Sequence, residues 1–167
     1  MTEELTLGAI SEGAARRFGS KPFLVPWSSK TRNLPPVSFE EFNVRVRAAR
    51  ASLVATHGLR RGSRVAVLCH ACPDSLALSV AVAECGGVVV NLNWRHPEDT
   101  LQQLLLSVGC ELMVTGRGLA ATAQRLCEAT GSVNALLVLE QSEAELADRA
   151  PSTALYAVAC GPGRSTL

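Results

Sequence analysis

Apolar runs and helix-like segments alternate through the middle of the chain. The apolar runs are short, rich in valine and leucine, and predict β-strands at 64–69, 88–92, 112–115 and 135–139. The segments between them carry helical periodicity and predict helices over 73–84, from 97 onward, and over 119–129. Short apolar strands that alternate with helices are typical of a sheet buried on both faces. The predicted fold class is therefore α/β, a parallel sheet with helices on both faces.

The N-terminal part of the chain predicts two helices and a hairpin. Residues 6–18 form a weakly amphipathic helix, and a polar turn joins an extended segment at 23–27 to another that starts at Val37. A longer helix begins at Ser38, whose hydroxyl forms a capping box with Glu41. Its apolar positions recur at spacings of four, three and four and mark one buried face: Phe42, Val46, Ala49 and Leu53.

The polar side of this long helix carries three arginines. Glu41 and Arg45 have the spacing of an i,i+4 ion pair, which we place on the solvent side. Arg45, Arg47 and Arg50 are interpreted as one solvated helix face. Gly58 follows the helical pattern and predicts a left-handed cap that ends the helix.

The composition indicates a folded domain without a strong charge bias. Hydrophobic residues make up 47% of the chain, and 16 basic against 15 acidic residues leave a net charge of +1. This balance excludes the basic surface expected of a nucleic-acid-binding protein or of one that binds anionic membranes. The basic set consists of 14 arginines and only 2 lysines, Lys21 and Lys30. Lysine is therefore scarce for chemistry that needs a mobile ammonium group.

No targeting or membrane-spanning segment is recognised. The first residues are acidic and lead into no apolar core, so they do not read as a secretory signal or a transit peptide. The longest apolar run, 76–90, is interrupted by Ser79 and Glu84 and falls short of the ~20 residues a span needs. We expect an intracellular, cytoplasmic protein. A peroxisomal location is the alternative, because Ser165-Thr-Leu167 resembles a Ser-Lys-Leu address in its first and last residues.

The pattern weakens beyond Glu140. We assign residues 1–140 to one incomplete domain and 141–167 to a weakly structured tail, in which 141–149 could form one short acidic helix. Gly161, Pro162 and Gly163 then interrupt any period. A four-stranded parallel sheet that stops at this point has an exposed edge, so we expect self-association through that edge.

Four segments are collinear with the motifs of one enzyme family. They are Val37-Ser-Phe-Glu-Glu-Phe42, Gly58-Leu-Arg-Arg-Gly-Ser-Arg-Val-Ala-Val-Leu68 with Pro73-Asp74, Ala83-Glu-Cys-Gly-Gly-Val-Val-Val-Asn-Leu-Asn93, and Glu111-Leu-Met-Val-Thr115. In order and spacing they resemble the N-terminal subdomain of the AMP-forming acyl-CoA synthetases, a family that includes luciferases and peptide-synthetase adenylation domains. The resemblance covers about residues 5–140 and implies a partial subdomain of that fold.

The chain departs from the family's motifs at a few positions. Ser63 stands where the family usually has aspartate, 69–72 replaces a Leu-Pro-Asn-Ser turn, and Asn91 replaces a proline. None of these positions carries chemistry in the family, so the departures leave the resemblance intact.

The resemblance implies a reaction in which ATP activates a carboxylic acid as an acyl-adenylate, which coenzyme A then captures. ATP, magnesium and coenzyme A are the cofactors of the full-length family. ATP is held there by a Ser/Thr/Gly-rich loop ending in Pro-Lys-Gly, whose amides surround the phosphates. Neither Lys21 nor Lys30 lies in such a setting. We therefore assign no catalytic, cofactor-binding or metal residue, expect no cofactor for this chain, and predict that it is inactive alone. Neither the acid nor the oligomeric state follows from the sequence.

Two other constellations suggest different chemistry. Gly116, Gly118 and Ala121 match G-x-G-x-x-(G/A) between a strand and a helix, with Glu140 at the end of the next strand, as in a dinucleotide-binding unit. A glycine turn into a helix explains the same residues more simply. The alternative functions are therefore a dinucleotide-binding unit or a noncatalytic interaction module that pairs through its sheet edge.

The second constellation is Cys69-His-Ala-Cys72, whose C-x-x-C spacing suits a redox pair or half of a zinc site. The remaining cysteines are scattered singly and supply no second pair: Cys85, Cys110, Cys127 and Cys160. The histidines also lack metal-binding spacing: His57, His70 and His96. Small residues in a strand-to-helix turn are the simpler interpretation, and without a secretion signal we expect the six cysteines to be reduced thiols.

Overall fold

The computed structural model describes residues 7–26 and 35–139 and the backbone of 155–158. The helices are α1 (Leu7–Phe18), α2 (Phe39–His57), α3 (Pro73–Glu84), α4 (Glu98–Val108) and α5 (Ala120–Thr130), the last preceded by a 3₁₀ turn at Arg117–Leu119. The strands are β1 (Pro22–Leu24), β2 (Val37–Ser38), β3 (Arg64–Leu68), β4 (Val88–Asn91), β5 (Leu112–Gly116), β6 (Ala135–Leu139) and β7 (Leu155–Val158). No helix among these combines the length and hydrophobicity that a membrane span needs.

The main sheet has the strand order β4-β3-β5-β6-β7, and β1 pairs antiparallel with β2 in a separate hairpin. The four predicted strands are present and pair in parallel, which confirms the predicted α/β class. The chain runs from β3 outward to β4 and then crosses back over β3 to form β5. This reversal places β3 and β5 at the centre of the sheet.

A fifth strand, β7, pairs antiparallel with the outer edge of β6. It lies within residues 141–167, where the sequence pattern indicated a weakly structured tail and no strand. The four residues of β7 are apolar or aromatic, but no periodic pattern surrounds them in the sequence, so they did not predict a strand. The strand is defined by its pairing with the outer edge of β6. The suggested helix at 141–149 and the Gly161–Gly163 stretch lie outside the described residues.

Two apolar layers cover the sheet, one on each face. On one face α2 and α3 pack over the sheet around Val46, Leu53, Leu78 and Val82, all of which are fully buried. On the other face α4 and α5 contribute Leu101, Leu105, Ala123 and Leu126. Helices on both faces are therefore confirmed, and so is the apolar face predicted for α2, since its four members are all buried: Phe42, Val46, Ala49 and Leu53.

Both ends of α2 follow the predicted capping chemistry. The Ser38 amide donates to the Glu41 carboxylate at 2.9 Å, and the Glu41 amide donates back to the Ser38 hydroxyl at 3.2 Å. At the other end Gly58 has a φ of 61°, in the left-handed region that favours glycine. The long helix is thus bounded by local signals at each end.

The interpretation of Arg45 as part of a solvated face is wrong. Its guanidinium Nη1 lies 2.7 Å from Asp74 Oδ1, and the two side chains are only 9% and 4% exposed. Position 45 turns towards α3, which packs along α2 and covers it, whereas Arg47 and Arg50 remain exposed. The predicted pair with Glu41 does not form, because that carboxylate caps the helix.

Removing one partner of the buried pair should destabilise the fold strongly. Asp74→Leu leaves the Arg45 guanidinium buried without its counter-ion, and we expect a loss of about 3 kcal/mol in the free energy of unfolding. The double variant Arg45→Met/Asp74→Leu removes both charges and should be more stable than the single one. Equilibrium urea unfolding measures both.

The control is the exposed pair between Arg125 and Glu98. Arg125→Met should change the unfolding midpoint far less, because solvent already screens that pair. A double variant no more stable than Asp74→Leu would contradict the assignment of the loss to an unpaired charge.

Candidate functional site

The carboxyl ends of the parallel strands form the candidate site. In open α/β sheets, ligands bind outside these ends where the strand order reverses. Here the reversal lies between β3 and β5. The segments that leave this edge are 69–72 after β3, 92–97 after β4, and 117–119 after β5. We refer to these three segments as the carboxyl edge.

Two hydrogen bonds join the ends of β3 and β5 at the reversal point. The Thr115 hydroxyl, fully buried, donates to the Leu68 carbonyl at 2.9 Å. The Cys69 thiol donates to the Val114 carbonyl, with the sulfur 3.8 Å from the oxygen. These polar side chains are occupied in holding the strand ends together, so they are not free to act on a ligand.

An aromatic and cationic surface stands beside them. The His70 and Trp94 rings meet edge to face with centroids 4.5 Å apart, and the Arg95 guanidinium lies 4.3 Å from the Trp94 ring centroid. Trp94 keeps 37% of its surface exposed. The Trp94 ring with the adjacent Arg95 guanidinium offers stacking and a positive charge, and neither of these two groups is a nucleophile or a general base. Sequence reasoning assigned Trp94 and Arg95 no role, although their position directly after a parallel strand was a usable signal.

The C-x-x-C pair lies in this edge as a structural element. Cys72 is the N-cap of α3, and its sulfur accepts from the Ser75 amide at 3.4 Å. Burial raises the pKa of the Cys69 thiol to about 12, with the nearby Cys72 adding to the shift. A thiol that holds its proton this firmly is a poor nucleophile. The redox interpretation therefore gains no support from Cys69.

Gly116 and Gly118 lie at the carboxyl end of β5, where a dinucleotide-binding turn would need them. Gly116 has a φ of −80°, and Gly118 is not among the glycines with positive φ, so neither conformation requires glycine. A Cβ at either position would meet no atom within 4 Å. Glu140, the proposed ribose ligand, lies outside the described residues. The dinucleotide alternative thus stays a hypothesis.

Glu84, at the end of α3, is another carboxylate whose side chain is largely covered, with 8% exposure. Burial raises its pKa, although the guanidinium of Arg50, whose Nη1 lies 4.0 Å away, opposes the shift. Gly8 of α1 packs so closely on it that a Cβ there would lie 2.8 Å from Glu84 Cγ. The Glu84 side chain therefore forms part of the surface on which α1 packs. Among the described residues no three His, Cys, Asp or Glu side chains are placed to hold a metal ion.

The family model that matches this chain is that of the AMP-binding enzymes, and it aligns with residues 12–162. The chain belongs to the AMP-binding enzyme family. The match spans both helical layers and the carboxyl edge. It confirms the resemblance drawn from the four sequence segments.

Curated relatives in this family are much longer proteins. Nonribosomal peptide synthetase flvI of Aspergillus flavus is 27% identical over 106 residues, which cover 64% of this chain and 10% of that protein. Malformin synthetase mlfA of Aspergillus niger is 29% identical over 107 residues, 60% of this chain and 2% of that protein. The chain therefore spans a tenth or less of the curated relatives that it matches.

Solved structures show the same fold. The N-terminal domain of FACL13 from Mycobacterium tuberculosis superimposes with a TM-score of 0.70 at 21% identity, over 90% of this chain and 37% of that one. A putative long-chain-fatty-acid CoA ligase from Rhodopseudomonas palustris gives 0.71 at 20% identity, over 89% and 37%. The A-PCP didomain of carboxylic acid reductase from Segniliparus rugosus gives 0.71 at 21%, over 84% and 22%. The described residues thus form part of the N-terminal subdomain of this family's fold.

The buried Cys69 thiol should resist alkylation in the folded protein. A pKa of about 12 against an ordinary value of 9.0 lowers the thiolate fraction at pH 8 about 1000-fold. We expect iodoacetamide to modify Cys69 at least 100-fold more slowly in buffer than in 8 M urea. Peptide mapping by mass spectrometry follows the rate. Equal rates in the two solvents would show that the thiol is accessible and ionised, and would reopen the redox interpretation.

Proposed function

We propose that this polypeptide is the N-terminal portion of an AMP-forming ligase that activates a carboxylic acid. The parent reaction joins the carboxylate to the α-phosphorus of ATP, which releases pyrophosphate, and coenzyme A then displaces AMP to give a thioester. The family match over residues 12–162 carries the proposal. The likeness to a putative fatty-acid CoA ligase supports coenzyme A as the acceptor.

The identity of the acid and of the acceptor is the finer part of the proposal. The peptide-synthetase relatives favour an amino acid, and the ligase structures favour a fatty or aromatic acid. We favour a fatty or aromatic acid, since structurally similar ligases include a putative long-chain-fatty-acid CoA ligase and an anthranilate CoA ligase.

The described residues do not fit a nucleotide triphosphate. Such a group needs a loop of convergent backbone amides and a mobile cation. Lys21 is the one lysine in the described ranges, and its Nζ lies 5.7 Å from the centroid of the Phe18 ring, next to the C-terminal end of α1. These residues also bring no three His, Cys, Asp or Glu side chains together around a possible metal position. We therefore propose that the 167 residues alone do not activate an acid.

ATP–pyrophosphate exchange tests this proposal directly. The purified 167-residue chain, with Mg·ATP and a panel of fatty, aromatic and amino acids, should give no acid-dependent exchange above buffer. An acyl-CoA ligase of known activity is assayed in parallel. It verifies that each acid is dissolved and available for activation under the assay conditions. Acid-dependent exchange by this chain would overturn the proposal that it is inactive alone.

The size of the native polypeptide tests the other half of the proposal. The chain covers 37% of two solved relatives. We expect the intact mass of the protein isolated from its source to approach about three times the 17.6 kDa of this chain. An intact native species of 17.6 kDa would contradict the assignment to a larger ligase.

The dinucleotide alternative has its own test. If Gly116 and Gly118 do not surround a pyrophosphate, then NAD, NADP and FAD should each fail to bind at millimolar concentration in isothermal calorimetry. Gly118→Val should leave the thermal midpoint nearly unchanged, since a Cβ there meets no neighbour. Binding that Gly118→Val abolishes would restore the dinucleotide function.

A further inference from the structure

We propose that the outer edge of β4 pairs with the same edge of a second copy of this chain, which joins the two sheets into one. This inference goes beyond the adenylation chemistry and does not depend on it. The edge belongs to residues Val88–Asn91, the end strand of the five-stranded sheet.

The hydrogen bonds of β4 identify which backbone groups are free. The Val88 amide donates to the Ser63 carbonyl at 2.8 Å, and the Leu92 amide donates to the Val67 carbonyl at 2.9 Å. Backbone groups alternate in direction along a strand, so the amides and carbonyls of Val89 and Asn91 point away from β3. In the described part of the chain no strand pairs with this side.

The free groups are self-complementary. An antiparallel pair with its two-fold axis at Val90 sets Val89 opposite Asn91 of the other copy, and each such pair exchanges two hydrogen bonds. About four hydrogen bonds therefore form between the copies. Val90 faces its own equivalent across the axis, on the side of the sheet where Val90 packs with the α4–α5 layer.

The absence of charge along this edge, and its sequence, both favour a second copy of the chain as the partner. Natural sheet edges are usually protected by lysine, proline or a bulge. Residues 86–94 contain no charged residue and no proline, so two copies meet without like-charge repulsion. Asn91 occupies the position where the resembling family motif has proline, and it restores an outward amide donor.

Exposed apolar side chains extend the surface beside the edge. Val88 is 49% exposed, and Leu104 of α4 is 41% exposed. Leu104 lies on the flank of α4 opposite Gln102, whose side chain donates to the Ala129 carbonyl of α5. Because α5 packs over β5 and β6, that flank turns towards the β4 edge.

The expected interface is small. A strand of four residues extends only about 13 Å, so its pairing buries much less surface than the roughly 1,600 Å² of a standard interface. The dimer should therefore be weak and reversible, with a dissociation constant on the order of tens of micromolar.

Sedimentation velocity of the 167-residue chain from 2 to 500 μM tests the proposal. We expect a monomer–dimer equilibrium. Asn91→Pro removes one outward donor per copy, and Val88→Lys adds to the edge the charged residue by which natural sheet edges resist pairing, so each should raise the dissociation constant at least tenfold. Val54→Lys is the matched control, since Val54 is 47% exposed on α2 and should leave dimerisation unchanged. Circular dichroism melts verify that each variant is folded.

Amide exchange by NMR gives a second readout. The Val89 and Asn91 amides should exchange rapidly in dilute protein and become protected as the concentration rises, while the Val88 amide stays protected throughout. A chain that is monomeric at 500 μM would overturn the proposal and leave this edge to other parts of a larger polypeptide. A dimer that persists in both variants would also overturn it, since it would use another surface such as the β7 edge.

Discussion

The pairing of β3 with β5 is the constraint on which the rest of the structure depends. Val65 to Leu68 lie beside Leu112 to Thr115 in parallel register, and all eight residues are buried. Strands buried on both faces need a helical layer on each side. A parallel partner also requires a crossover, and here the crossover from β4 passes over β3. The two helical layers, the two edges and the reversal point follow from this arrangement.

The covering layers decide the environment of the charged residues. Arg45 belongs to the flank of α2 that α3 covers, so it is buried and needs Asp74 as a counter-ion. An unpaired charge at that depth would be strongly unfavourable. The same geometry places Glu84 beneath α1 and raises its pKa. Charge in this protein therefore supports the packing of helices, and the described carboxylates are not gathered for catalysis.

The candidate site and the proposed pairing surface lie at the ends and at one lateral edge of the sheet. At the carboxyl edge, Thr115 and Cys69 join the strand ends, and Trp94 with Arg95 offers a stacking surface without a reactive group. At the lateral edge, β4 presents valine side chains and backbone groups with which no strand of the described residues pairs. Both features belong to the N-terminal subdomain fold that this chain shares with its family.

The sequence by itself determined the elements with strong local signals. The capping box at Ser38, the left-handed Gly58 and the α2 apolar stripe were readable because each depends on neighbours within a few residues. The four parallel strands were readable because their apolar runs have the right length and spacing. The collinear motifs identified the family for the same reason.

Only the tertiary structure decided the features that depend on distant residues. The strand order, the pairing of β7 with β6, the burial of Arg45 against Asp74 and the contact of His70 with Trp94 all join segments that are far apart in the chain. A local pattern reports the face on which a side chain lies, but not which element will cover that face. The pKa of Cys69 shows the same division, since its C-x-x-C spacing is local, whereas the burial that raises the pKa comes from the packed fold.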